Sequence, residues 1–357
     1  MVLTVISLSN NLNVNSRFTR KKVVGDRIKL VNIKDIKEKL FAHLETWRPY
    51  TVIWCGLVSL AGSCIAFQKL PDVRTALLSF FIPVMGWIAA LYLSDFLDRK
   101  LDAIEKPHRP IPSGRIKPNE ALSVGGIFAL SGAILTYLFL NVSNLVLVFI
   151  VAFLVYGYTR ISKSHGIFGH FNRGVVTIAA YLFGVFTFNQ NLASLPIYLW
   201  LLTTVFLLHD FNSNMVGAIR DIEGDKEGGY ITIPVKYGIK KSIWISLFLT
   251  CIWFSTVLVI PLYYNFLNVY FFIMMVIDFL ILLSLYVYLF TSLKNYSRRK
   301  ALRFHEFFVI ERVTLASALI SGVIEIELAI VIYLLSVLVT FVSQQTLRKR
   351  YEFVVKK

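Results

Sequence analysis

The residues able to do chemistry gather in two stretches. Ser94, Asp95, Asp98 and Asp102 lie in SDFLDRKLD, where the apolar run 80–93 ends. On a helix Ser94, Asp98 and Asp102, at i, i+4 and i+8, share one face within about 80° of arc. Asp95 stands about 100° around from Ser94. Asp221 and Asp225 repeat the i, i+4 spacing after a second apolar run. Carboxylate oxygens suit Mg²⁺, a hard ion usually held by one or two carboxylates together with substrate phosphates. Arg99, Lys106, Arg109, Arg220 and Lys226 are interspersed and can neutralise the rest of such an anion. Together these groups read as a diphosphate site bridged by Mg²⁺, with Ser94, Asp95, Asp98, Asp102, Asp221 and Asp225 as the metal-binding set. Calcium-loop spacing, alternate ligands around a central Gly, is not seen. Acids and bases at a membrane surface are more often solvated or paired with each other. Two clusters at matching spacing on one side of the membrane favour the site.

The elements that position these residues are membrane helices. Of 357 residues 56% are hydrophobic and only 16% charged, against roughly 25% charged in soluble domains. Apolar runs of spanning length fall near 50–67, 77–97, 120–140, 143–159, 170–188, 195–216, 242–262, 266–291 and 326–343. The expected fold is an all-α polytopic bundle of about nine transmembrane helices. Residues 1–44 form a polar, basic segment and 45–343 the membrane domain. Residues 344–357 form a basic tail. The run 304–320 carries His305, Glu306, Glu311 and Arg312, an expensive span unless those charges pair or face protein. It is expected as a cytoplasmic or partly inserted helix.

Lys and Arg crowd the segments 98–119, 159–173, 218–241 and 292–303 and are scarce in the alternate ones. The positive-inside rule puts that first group, both acidic clusters and the N-terminus in the cytoplasm. The basic C-terminus argues for the same side, which nine crossings contradict. The apolar patch 2–8 is too short for a span and lacks the basic flank of a secretory signal. The net charge of +16 follows from these loops and implies membrane lipid rather than nucleic acid. Cys55, Cys64 and Cys251 all sit in apolar runs without CxxC spacing, so no disulfide framework or zinc site is indicated. Pro107, Pro110 and Pro112 stiffen the first loop, while Gly114, Gly228 and Gly229 permit tight turns.

The paired loops resemble the aspartate-rich motifs of the UbiA superfamily of intramembrane prenyltransferases. The family's Asn-x-x-x-Asp-x-x-x-Asp becomes Ser94, Asp98 and Asp102, and its Asp-x-x-x-Asp becomes Asp221 and Asp225. KPHRPIPSG resembles branches acting on homogentisate, chlorophyllide and archaeal glyceryl lipids. RDIEGDKEGG also resembles naphthoquinone and homogentisate branches. Arg48-Pro49 resembles the family's Arg-Pro before its first helix. Lys163 and Asn172 stand where the family has polar residues in its third cytoplasmic loop. Ser94 departs from the family's Asn and reaches less far. The resemblance implies helices around a central, laterally open cavity. It implies Mg²⁺, with Asp98, Asp102, Asp221 and Asp225 catalytic. Arg48, Arg99, Lys106, Arg109, Lys163, Asn172, Arg220 and Lys226 would bind the diphosphate, and Tyr156 and Tyr158 would shield an allylic cation. The expected reaction is transfer from a prenyl diphosphate to an aromatic or similar lipophilic acceptor. Terpene cyclisation and prenylation of a glycerophosphate lipid are alternatives. A membrane transporter, the alternative of another class, would place its acids near the bilayer midplane.

Overall fold

The computed structural model describes residues 33–188 and 191–352, and no strand occurs among them. The apolar patch 2–8 and most of the basic N-terminal segment lie outside the described residues. Short α1 (Ile33–Trp47) leads into α2 (Pro49–Phe67), α3 (Val73–Glu105), α4 (Pro118–Phe139), α5 (Val142–Arg160), α6 (Ile167–Phe186) and α7 (Ile197–Arg220). Two short helices follow, α8 (Ile222–Glu227) and α9 (Ile233–Tyr237). The chain continues through α10 (Ile239–Tyr264), α11 (Val269–Ser292), α12 (Arg298–Ser321), α13 (Ile326–Ser343) and the terminal turn α14 (Lys349–Glu352).

Local sequence sets the helix starts. Pro49 and Pro118 open α2 and α4, where a missing N–H costs nothing. Asp72 and Asn141 cap α3 and α5 by accepting from Thr75 and Asn144 backbone N–H at 3.2 and 3.1 Å. α3 runs on through the acidic motif to Glu105, so Ser94, Asp98 and Asp102 share one helical face.

A helix covers each of the nine expected apolar runs, within a few residues at most ends. Among the described residues seven helices are long and apolar enough to cross a membrane. α6, α7 and α12 are long but carry polar interior residues. α12 is the stretch expected as a cytoplasmic or partly inserted helix. It is a full 24-residue helix packed along α2, α11 and α13, and its charges pair with protein. Glu311 meets His209 at 3.0 Å, Arg312 meets Asp210 at 3.2 Å and Arg348 donates to His305 at 2.9 Å. With α12 the described residues hold ten long helices, an even number. Residues 344–352 return to the end where α1 lies, and Arg350 bridges Glu38 and Glu45 there at 3.2 and 2.7 Å.

α2 is the buried axis of the bundle, and glycine permits its closest neighbour. A Cβ on Gly62 would lie 2.3 Å from the Tyr181 carbonyl oxygen, and one on Gly184 only 1.7 Å from that of Ser59. Small residues facing each other let α2 and α6 touch backbone to backbone, the usual device for packing helices in lipid. α4 and α5 turn large apolar side chains such as Leu130, Ile134, Phe149 and Phe153 outward.

Candidate active site

The connections 105–118, 160–167 and 220–239 meet at the end of the bundle that carries α1 and residues 344–352. Gly166, at φ +54°, lets loop 161–166 approach loop 228–232: a Cβ there would stand 2.7 Å from the Ile231 carbonyl oxygen. Ile231 N–H donates to the Ser164 carbonyl at 3.1 Å. Gly224 in α8 lies against Glu105 at the end of α3; an added Cβ would be 3.1 Å from its carboxylate. The two acidic stretches therefore face one cavity of about 480 Å³.

Ser94, Asp95, Asp98, Asp102, Asp221 and Asp225 all line it. The Ser94 hydroxyl donates to Asp98 Oδ2 at 3.3 Å, and Lys163 Nζ reaches the same oxygen at 2.6 Å. Arg109 Nη1 donates to both Asp102 oxygens at 2.9 Å. Arg220 pairs with Asp221, and Thr232 donates to Asp225 Oδ2 at 3.2 Å. Asp95 receives Arg48 Nη2 at 2.5 Å and the Tyr351 hydroxyl at 3.0 Å.

The charges tune one another. Burial would lower the Lys163 ammonium, but Asp98 outweighs it and the group is raised. Burial would raise the Asp221 carboxyl, yet Arg220 and Lys106 hold it well below the usual carboxylate range. At Asp225 the cations Lys163 and Lys106 weigh less. Burial, then the neighbouring Asp221 charge, pushes it up to about 6. Lys106 is lowered, by burial first and by Arg109 next.

No group of three or more His, Cys, Asp or Glu side chains converges among the described residues. Each loop offers its carboxylates singly or in pairs, and most now rest on a lysine or arginine. Such donors fit Mg²⁺ ions that complete their coordination with diphosphate oxygens, rather than a ready-made protein cage. The cations now on the carboxylates are the ones an arriving diphosphate would draw off.

Arg48, Lys106, Arg109, Lys163, Arg220 and Tyr158 line the cavity as expected. Arg99, Asn172, Lys226 and Tyr156 are not among its lining residues. Helix geometry gives the reason: a position next to a lining residue lies about 100° around the helix. Arg99 turns back on its own helix, stacks on Phe96 at 4.1 Å and donates to its carbonyl at 2.6 Å. Tyr156 is exposed on α5.

The UbiA prenyltransferase family profile matches residues 54–310. The chain belongs to the UbiA prenyltransferase family. Digeranylgeranylglyceryl phosphate synthase of Methanocaldococcus jannaschii is 32% identical over 212 residues, 59% of this chain and 72% of the relative. The enzyme of that name from Pyrococcus furiosus is 30% identical over 56% of this chain and 70% of its own length. A solved structure concerning digeranylgeranylglyceryl phosphate synthase in membranes superposes with a TM-score of 0.60 at 28% identity, covering 80% of this chain and 99% of that one. A UbiA homologue from Aeropyrum pernix shares the fold at 16% identity and a TM-score of 0.64, over 75% and 96% of the two chains.

Within this UbiA prenyltransferase the C-terminal segment, beyond the matched region, supplies residues that the sequence reading missed. The Tyr351 ring lies 4.2 Å from both the Arg48 and the Arg109 guanidinium carbons. Its carbonyl meets His108 Nε2 at 3.0 Å. Glu352 lines the cavity and sits 3.5 Å from Arg220 and from Arg298. The tail's basic residues were the only signal, and they spoke for sidedness alone.

Proposed function

We propose that this protein moves a geranylgeranyl-type group from its diphosphate to a hydroxyl of a prenylated glycerophosphate lipid, with Mg²⁺ at the two acidic clusters. The curated relatives at 32% and 30% identity, both named digeranylgeranylglyceryl phosphate synthase, carry this reading. A product with two such groups requires an acceptor that already bears one. The aromatic acceptor expected from the sequence has no comparable support.

The cavity suits the chemistry. Mg²⁺, when bound, offsets the negative charge that builds on the departing diphosphate. Lys163, Arg109 and Arg220 then turn from the carboxylates to the phosphate oxygens, donors already aimed at where the charge develops. Tyr158 and Tyr230 line the cavity beside the acidic clusters, where aromatic rings favour a developing allylic cation. An adjoining apolar cavity of about 340 Å³, lined from α2 to α6, gives prenyl tails a place. The active-site end faces the cytoplasm, as its Lys and Arg content favours.

The test uses purified protein with Mg²⁺, geranylgeranyl diphosphate and either geranylgeranylglyceryl phosphate or an aromatic acceptor, with products identified by mass. Prenylation of the glycerophosphate lipid, abolished by chelator, is expected. Exclusive use of the aromatic acceptor, or a cyclised product without any acceptor, would overturn the reading.

A further inference from the structure

Below the acidic clusters the same cavity continues into the bundle. Asp210 precedes Asp221 on α7, and Trp87 precedes Asp98 on α3, by eleven positions each, about 16 Å of helix rise. At that depth two guanidiniums face the cavity, Arg173 from α6 and Arg312 from α12. Asp210 holds both, at 3.4 Å to Arg173 Nε and 3.2 Å to Arg312 Nη2, and is itself fixed by the Thr177 hydroxyl at 2.8 Å. Arg173 lies on Trp87 at 4.0 Å and Arg312 on Trp54 at 4.9 Å.

The arrangement has a front and a back. Asp210 is not among the lining residues, nor are Glu311 and Asp278, which stand behind with His209. The cavity thus meets the cations and not their carboxylate. Arg312 is 3% exposed, and its Nε has no hydrogen-bond partner among the described residues. A guanidinium has five N–H donors, so one carboxylate shared by two arginines leaves donors to spare. Buried ion pairs often serve packing alone. They cost several kcal/mol per ion, however, and apolar replacements of similar volume are often as stable. Ionisable groups kept at membrane depth beside a cavity ask for a ligand.

We propose that Arg173 and Arg312 form a second anion site, separate from the diphosphate site, that seats the phosphate monoester of the lipid acceptor. This rests on the glycerophosphate-lipid reading above. No acid faces the cavity beside these two arginines to share a metal, so the anion is bound by guanidinium alone, bidentately where geometry allows. The apolar cavity shares Trp87, Ala90, Val155 and Val176 with the charged one. A phosphate on Arg173 therefore places an attached prenyl chain at the entrance to that apolar cavity. The glycerol hydroxyl is left toward the acidic clusters, where the donor carbon is released.

The experiment compares full-length wild type, Arg173→Gln and Arg173→Lys in nanodiscs, each checked by thermal melting. The acceptors are geranylgeranylglyceryl phosphate and geranylgeranylglycerol, which lacks the phosphate; inorganic phosphate serves as competitor. Wild type should strongly prefer the phosphorylated lipid. In Arg173→Gln its KM should rise about tenfold to a hundredfold, donor KM should move little, and the preference for phosphate should collapse. Arg173→Lys should recover part of it. Inorganic phosphate should compete with the acceptor in wild type and less in Arg173→Gln. If Arg173→Gln and Arg173→Lys both keep the wild-type preference, the site is elsewhere and the acceptor reading stands. If wild type is inert toward the phosphorylated lipid, both fall together.

Discussion

At the scale of single residues, each carboxylate has a different environment and so a different expected phenotype. Asp98 and Asp221 line the cavity with lysine or arginine partners, and Asp98→Ala or Asp221→Ala should lower turnover by at least about a hundredfold, read from initial rates. Ser94 contributes one hydroxyl, donated to Asp98 at 3.3 Å. Ser94→Ala should raise the Mg²⁺ requirement about tenfold, the order of one hydrogen bond to a charged group; a titration matching wild type would remove Ser94 from the metal's surroundings. Asp225 adds a pH dependence. Its carboxyl, raised to about 6 by burial and Asp221, is protonated below that pH, and Mg²⁺ must displace the proton. The Mg²⁺ concentration for half-maximal rate should climb as pH falls through 6 and level off above it. Asp95 was legible as a member of the cluster but not in its role. Its face of α3 turns it to Arg48 and Tyr351, and no local pattern in the sequence announces a partner 256 positions away.

At the scale of elements, the sequence and the structure part at α12 and at residues 344–352. The other long helices were legible because lipid-facing or apolar stretches of that length can do little else. α12 was not, because its Glu311 and Arg312 are satisfied by α7 and its His305 by the C-terminal segment rather than by neighbours in sequence. Arg99 and Lys226 were misread for the converse reason: closeness in sequence to an acid is not closeness in space on a helix. The C-terminal segment sets Glu352 against Arg220 and Arg298, so a carboxylate occupies cations that a diphosphate needs. Glu352→Gln should tighten inhibition by inorganic diphosphate about two- to tenfold, the size of one modest polar contact. Unchanged inhibition would mean that Arg220 plays no part in binding it. Asp95→Ala and Tyr351→Phe should be strongly non-additive in thermal stability, since each removes the same hydrogen bond.

At the scale of the whole molecule, ten alternating helices put the acidic connections, the basic segments and the described parts of both termini at one end. Polar chemistry is held there, and the apolar cavity lies deeper, between α3, α4, α5 and α6. On the proposed reaction two lipid substrates share this space without exchanging places. With the phosphate seated as proposed on Arg173, beside the opening at Trp87, the chain in the apolar cavity would belong to the acceptor. Gly126 lines that cavity, and a Cβ added there would meet nothing within 4 Å. A Phe side chain at this position thus starts in open space beside the cavity, and Gly126→Phe also gains helix propensity. It should raise the KM for a geranylgeranyl-bearing acceptor about tenfold, the loss expected when a buried stretch of chain is excluded. Shortening the acceptor's chain to geranyl should restore it, and shortening the donor's chain should not. Rescue by the shorter donor instead would assign the apolar cavity to the diphosphate substrate and move the acceptor tail to another face of the bundle.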